Sequence, residues 1–353
     1  MTKKKPSGRS RKNSRALITG LTGQDGSYLS ELLLNKGYQV FGLVRRSSTD
    51  PFERFSKDVK KNVTVLYGDL RDTGALERTV QAARPDEIYN LAAQSDVGIS
   101  FLCPEETMEI NYFGVGRLVN AVRVVKPDTR IYQASTSEMF GKTHPPQNES
   151  SPFQPVSPYG RAKLKAHEDF VIGYRERHGI HISSGILFNH ESPRRGEHFV
   201  TRKITVSLAK IKLGMQESFE IGNMNAGRDW GFAGDYVDAM WRMVQEKKPD
   251  DYVVATGEIH TVRDFLTAAA TALNMPLSFE GKGLKEVGRD ARGKIVVSVN
   301  PKFYRPQEVD ALRGDSAKAR RVLGWKPRVT FEGLVEMMVR SDYDGLQKGM
   351  RIS

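Results

Sequence analysis

Residues 15–48, RALITGLTGQDGSYLSELLLNKGYQVFGLVRRSS, read as strand, glycine-rich turn, helix and second strand in one unbroken run. RALIT and QVFGLV are short apolar runs of strand length, and the segment between them carries its leucines at helical spacing. Gly20, Gly23 and Gly26 stand in G-x-x-G-x-x-G spacing where the first strand passes into the helix. A dinucleotide pyrophosphate needs backbone that can be approached closely, and a helix N-terminus whose unpaired N–H groups face the anion. Thr22, Gln24 and Asp25 fill the places between the glycines and belong to the same expected cofactor loop. A βα turn without a ligand is the bland alternative. The second strand ends in Arg45, Arg46, Ser47 and Ser48, where an acid would face the ribose hydroxyls of NAD. Guanidinium forks and hydroxyls suit a 2′-phosphate instead, so the expected cofactor is NADP, with Arg45 and Ser47 as phosphate ligands.

The alternation continues through VTVLYGD (63–69), EIYNLAA (87–93), RIYQASTSE (130–138) and HISSGILFN (181–189). Helical patterns fall between them at about 26–36, 73–82, 107–126 and 157–177. Strand and helix in turn predict an α/β protein, a doubly wound parallel Rossmann sheet with right-handed crossovers. Beyond about residue 190 the regularity gives way to loops rich in Gly, Arg and aromatics, with DDYVVATG, TVRDFLTAAATAL and DSAKARRVLGW as shorter elements around them. Such loops suit a second ligand. The expected organisation is a basic flexible tail over 1–14, an NADP-binding domain over 15–190, and a smaller α/β substrate domain over 191–345, interleaved with the first.

Length and composition fit a folded enzyme: 353 residues, of which 39% are hydrophobic. No run of roughly 18 apolar residues is available to span a bilayer, so no membrane partner is expected. The one cysteine, Cys103, excludes an internal disulfide and a cysteine-rich metal site, and fits a reducing cytoplasm. The net charge is +12, but residues 1–15 hold seven basic side chains (Lys3, Lys4, Lys5, Arg9, Arg11, Lys12, Arg15) and no acid. Setting those aside leaves +5, a mild excess that anionic phosphate ligands explain without nucleic acid. The tail reads as a solvated leader lacking the apolar core of a secretory signal.

The chemistry concentrates at strand ends. ASTSEMFG places Thr136, Ser137 and Glu138 at the carboxyl edge of the fifth strand, where open α/β sheets bind ligands. SPYGRAK (157–163) puts Tyr159 and Lys163 one helical turn apart. Taken alone, that spacing is a solvated helix face. Behind a cofactor loop it is a base: an ammonium near the phenol lowers its pKa, so that it takes a sugar hydroxyl proton as hydride leaves. Asp69, closing VLYGD, is expected at the adenine. NLAAQS supplies Leu91, Ala92, Ala93 and Ser95 as the wall beside ribose and nicotinamide. His190 reads as a hydrogen-bonding residue of the nicotinamide pocket, because no second ligand stands at metal-binding spacing; no metal is expected.

The segments NLAAQSDVGISF, ASTSEMFG, SPYGRAK, LFNHESPRRGEHFVTRKI, GNMNAGRDWGFAGDYVDAMW and FYRPQEVDALRGDSAKARRVLGW, together with the opening run, carry a specific resemblance. From about residue 15 to 345 the chain resembles the extended short-chain dehydrogenase/reductases that act on sugar nucleotides, and among them the GDP-mannose 4,6-dehydratase family. The resemblance implies a redox-neutral conversion of GDP-mannose to GDP-4-keto-6-deoxymannose, a first step toward GDP-deoxyhexoses such as GDP-fucose and GDP-rhamnose. It implies Tyr159 as base at the C4 hydroxyl with Lys163 beside it, Thr136 as hydrogen-bonder to the C4 oxygen, and Glu138 as base at C5 and acid at C6. Ser137 sits where relatives acting on thymidine-linked sugars often have an acid. It adds Leu70, Leu187, Asn189, His190 and Arg195 to the cofactor site. Ser95, Asn189, Lys203, Arg228, Arg305 and Glu308 join Thr136, Ser137 and Glu138 in holding GDP-mannose. Arg194 and Arg195 resemble a loop that reaches a neighbouring subunit, implying a homotetramer or at least a dimer. The basic tail and a short loop, TDPFERFSKDVKKN, depart from the pattern. A 4-keto reductase or 4-epimerase is the alternative enzyme, needing Tyr159 and Lys163 but no base at C5. A cofactor-sensing protein without catalysis would have lost the pair or the acid, and both are present.

Overall fold

A computed structural model describes residues 13–48, 50–304, 309 and 311–349. The first half alternates as β1 (Arg15–Thr19), α1 (Gln24–Asn35), β2 (Gln39–Val44), α2 (Lys57–Asn62), β3 (Val63–Tyr67), α3 (Thr73–Ala83) and β4 (Glu87–Asn90). α4 (Val97–Leu102), α5 (Pro104–Met108), a π-helical turn (Glu109–Phe113) and α6 (Gly114–Val125) lead to β5 (Arg130–Thr136). α7 (Pro158–Ala166), a second π-helical turn (His167–Ile172) and α8 (Gly173–His178) lead to β6 (Ile182–Leu187). The second half holds β7 (Asn189–Glu191), α9 (Val200–Lys212), β8 (Phe219–Ile221), β9 (Gly227–Arg228), β10 (Trp230–Phe232), α10 (Ala233–Gln245) and β11 (Asp251–Val254). It continues with β12 (His260–Thr261), α11 (Val262–Ala272), β13 (Ser278–Glu280), β14 (Val287–Arg289), β15 (Ile295–Val299), α12 (Ala317–Leu323) and α13 (Phe331–Gln347).

Seven strands form the central sheet in the order β11-β6-β5-β4-β1-β2-β3, each paired parallel to its neighbours. Every residue of β4 and β6 is buried. A parallel sheet covered on both faces requires this, which is why these strands read as continuous runs rather than alternating ones. On one face Leu29 and Leu33 of α1 pack with Tyr236 and Met240 of α10; on the other Leu76 and Val80 of α3 pack with Leu118 and Val122 of α6. The strand order turns back between β1 and β4, and there a crevice opens at the carboxyl ends of the strands.

The DDYVVATG segment, grouped by sequence with the second domain, is β11, the seventh strand of the large sheet beside β6. Its apolar residues Tyr252 and Val254 share a core with α10 and with Ala319, Leu323 and Trp325 from the region of α12. A second core, around Phe265, Leu266, Leu334 and Met338, lies among α9, α11, α13 and the four-stranded sheet β13-β14-β15-β8. Each large apolar side chain taken from water contributes about 1.5–3 kcal/mol, so both clusters are large enough to hold their lobes rigid on either side of the crevice.

Residues 1–12 of the expected tail lie outside the described residues, as do Arg305 and Glu308. Arg15, counted with the tail's charges, is the first residue of β1. Its guanidinium donates to the carbonyl oxygens of Ala82 and Ala83 at the end of α3 and lies over the Phe41 ring. That is a good place for a cation, since helix C-termini carry partial negative charge. Among the described residues no helix is long and apolar enough to cross a membrane.

Candidate active site

β1 ends at Thr19 and the chain turns sharply at Gly20, whose φ is +68°. A Cβ there would stand 2.7 Å from the Ala92 nitrogen, and at Gly26 the Leu21 carbonyl would block any side chain. Only glycine allows the loop to lie this close to β4 and to its own first turn. Gly23 is the N-cap of α1 and makes no side-chain cap, leaving the first-turn N–H groups facing the crevice. The loop therefore fits a pyrophosphate.

SPYGRAK folds as its chemistry requires. The Ser157 hydroxyl accepts from the Gly160 N–H and Pro158 occupies the first helical turn, so α7 begins with Tyr159. Lys163 follows one turn later, with its ammonium 6.0 Å from the Tyr159 ring centroid. Thr136, Ser137 and Glu138, at the end of β5 and the turn after it, are all buried. The Thr136 hydroxyl accepts from the Glu138 N–H and hydrogen-bonds the Tyr159 phenol.

The expected lowering of Tyr159 by Lys163 is not what the chain alone produces. Burial pushes the phenol up to about 12; the Glu138 and Asp25 carboxylates add to the rise, while Thr136 and Arg195 oppose it. Lys163 donates instead to the Ala134 carbonyl at 2.8 Å, and burial draws its own pKa down to about 8. Among the described residues, the one hydrogen bond the ammonium makes is therefore to the backbone of β5.

Every described candidate except Ser47 lines one continuous cleft of about 1090 Å³, running from Arg45 and Asp69 at one end to Lys203 and Arg228 at the other. That is just above the roughly 300–1,000 Å³ usual for one ligand, and suits a dinucleotide and a second nucleotide end to end. Ser47 lies in an adjoining cleft of about 280 Å³, which shares Thr22 and Arg45 with the first. Arg54, missed in the sequence, lines this annex and donates to the Arg194 carbonyl at 2.9 Å. The signal was there in TDPFERF, directly after the arginine and serine run. Arg45→Glu removes a phosphate partner and adds repulsion, so NADPH affinity should fall roughly 10-fold or more with NADH affinity almost unchanged; an equal loss for both in a fluorescence titration contradicts a 2′-phosphate site here.

The Asp69 carboxylate is held by both arms of Arg71 at 2.8 and 3.0 Å, and that hydrogen-bonded pairing keeps its pKa low. At the far end Arg228 is buried, its Nη1 donating to the Gly227 and Val309 carbonyls. The Lys203 ammonium sits 3.6 Å from the Phe303 ring centroid; burial lowers its pKa, with the Lys302 charge adding to the effect and Glu220 opposing it. Lys302, Phe303 and Tyr304 also line the cleft; Phe303 and Tyr304 open the motif FYRPQEVDALRGDSAKARRVLGW directly before Arg305, and Lys302 immediately precedes it. Asn189, on β7, pairs with Trp230. Arg194 folds back onto α1, with Nη2 2.7 Å from Glu31 Oε1 and the guanidinium over the Tyr28 ring. Arg195 lies against Phe199 and 3.2 Å from Glu191 Oε2, out of hydrogen-bond alignment. Among the described residues no three His, Cys, Asp or Glu side chains are grouped to hold a metal ion.

The sequence profile of the family described as GDP-mannose 4,6 dehydratase matches residues 17–338. The chain is 51% identical to GDP-mannose 4,6 dehydratase 1 of Arabidopsis thaliana over 340 residues, 93% of this chain and 90% of that protein. It is 50% identical to the GDP-mannose 4,6 dehydratase of Homo sapiens, over 93% of this chain and 91% of the relative. Among solved structures, the UDP-glucose 4-epimerase of Thermotoga maritima superposes with a TM-score of 0.79 at 22% identity, covering 94% of this chain and 99% of the other, a likeness of fold.

Proposed function

The chain belongs to the GDP-mannose 4,6-dehydratase family, and from that premise we infer that its cleft converts GDP-mannose to GDP-4-keto-6-deoxymannose with loss of water. It is an NADP-dependent lyase. NADP held by the glycine loop, Arg45 and Ser47 would supply the hydride acceptor and donor that a redox-neutral dehydration needs.

The observation that carries the reading is the buried Glu138 carboxyl in the same wall as Thr136 and Tyr159, close enough to raise the phenol's pKa. Oxidation at C4 needs only a base at the hydroxyl, which is Tyr159, and a donor to the oxygen, which is Thr136. Elimination needs a second group. Once C4 is a ketone the C5 proton is acidic; Glu138 takes it, and the same carboxyl protonates the departing C6 hydroxyl. Lys163, fixed by Ala134, orients the ribose edge of the cofactor beside the phenol. Arg228, Lys203 and Asn189 hold the diphosphate and ribose of the substrate, Arg45 and Ser47 the 2′-phosphate.

Incubation with a panel of nucleotide sugars, read by mass spectrometry, tests the reading. GDP-mannose should lose one water with NADP+ present only in catalytic amount. Stoichiometric consumption of reduced cofactor, or a product of unchanged mass, would assign the cleft to a reductase or an epimerase.

A further inference from the structure

Asp25 is the second residue of α1, and its carboxylate lies in the cofactor cleft. A carboxylate is an electrostatic liability there, because a helix N-terminus that attracts pyrophosphate loses that advantage to any anion already standing in its first turn. The chain answers with His190. Its Nε2 is 2.8 Å from Asp25 Oδ2, and its Nδ1 is 2.8 Å from the Phe188 carbonyl oxygen. Both neighbours only accept, so the ring satisfies both only with a proton on each nitrogen. It lies flat against Tyr236, ring centroids 4.6 Å apart. Burial disfavours the charged imidazole, yet the Asp25 carboxylate outweighs it and holds the pKa above the ordinary histidine value; in the same way burial would raise Asp25, but His190 brings it below the usual carboxylate range. Gln24 closes the arrangement, donating to the His190 carbonyl at 3.0 Å and to Asp25 Oδ1 at 3.1 Å, and accepting from the Ser192 hydroxyl at 2.8 Å.

We propose that His190 is a positioning residue for the cofactor: as a cation it neutralises Asp25 and ties the first turn of α1 to β7, so the glycine loop meets the NADP pyrophosphate without an opposing carboxylate. The proposal rests on the reading of the cleft as an NADP site. It also links the two ligands, because β7 carries Asn189 next to the latch and pairs with β10 of the substrate side.

The test is a set of NADPH titrations of the purified protein, read by nicotinamide fluorescence, with no turnover involved. His190→Gln keeps a donor but removes the charge, and should weaken binding by about 10–100-fold, the usual worth of a hydrogen bond to a charged group. Asp25→Asn removes the charge that His190 answers, and its affinity is the reference for the double variant. The double variant Asp25→Asn/His190→Gln should return to within about threefold of Asp25→Asn, since with no carboxylate there is nothing to neutralise, and this coupling between contacting residues is what a cycle measures. If His190 only packs, the double variant binds as weakly as His190→Gln or more weakly, and the proposal falls. It falls equally if His190→Gln binds like the parent. Should the single variant not fold, the double variant decides alone: binding like Asp25→Asn supports the pair as a charge device, and weaker binding overturns it. A parent protein that does not bind NADPH would remove the underlying cofactor reading instead.

Discussion

In Glu138→Gln, mixed in excess with GDP-mannose and NADP+, nicotinamide absorbance rises by one turnover and the sugar keeps its water. Tyr159, Thr136 and Lys163 remain in place to oxidise C4, so the first half of the chemistry proceeds. The amide has no proton acceptor for C5 and no acid for the C6 hydroxyl. A 4-keto sugar with its C6 oxygen intact should therefore be recovered on quenching, and dehydration should slow by about 10²–10⁴-fold. Glu138 is buried beside the phenol, and its carboxylate contributes to the high pKa of Tyr159. Removing the charge should then ease rather than hinder the first proton transfer. Dehydration at near the parent rate, or no rise in absorbance although both ligands bind, refutes the role of Glu138.

Tyr159→Phe gives the opposite pattern. The ring still fills its buried position, but nothing is left at 159 to accept the C4 hydroxyl proton, and the Thr136 hydroxyl loses a partner. Hydride transfer should slow by about 10²–10⁴-fold with no build-up of either reduced nicotinamide or ketone, because the block precedes both. The same single-turnover absorbance trace separates the two variants: a rise that stalls for Glu138→Gln, and no rise for Tyr159→Phe. A normal rise in Tyr159→Phe contradicts its assignment as base.

The first six strands of the sheet were readable because each is a compact apolar run, four of them (β1, β3, β4 and β6) closed by Gly, Asp or Asn, and because burial on both faces removes any need for alternation. β11 was not: three apolar residues in a chain segment full of loops do not announce which sheet they join, and the answer comes from packing with Tyr236, Leu323 and Trp325. The site was legible where one local element carries it, as with the glycine loop, the β5 end, and Tyr159 with Lys163. It was hidden where the partner is remote. Asp25 and His190 are 165 positions apart, and nothing in either neighbourhood names the other. Lys163 was rightly set on the face of Tyr159, yet its hydrogen bond goes to the Ala134 carbonyl, a backbone group that no side-chain motif encodes. Arg54 lay in the loop whose length departs from the family pattern, and only folding brings it beside Arg45 and Ser47.

In the proposed reaction one hydride leaves C4 and the same hydride returns at C6 while Glu138 drives water out between the two transfers. GDP-mannose deuterated at C4, turned over with trace NADP+ and analysed by mass spectrometry and proton NMR, tests it most directly. The expected product is lighter by one water, with the deuterium now on C6 and no net NADPH formed. Deuterium left on C4, or lost to the free nicotinamide pool while the sugar keeps its C6 hydroxyl, would contradict it.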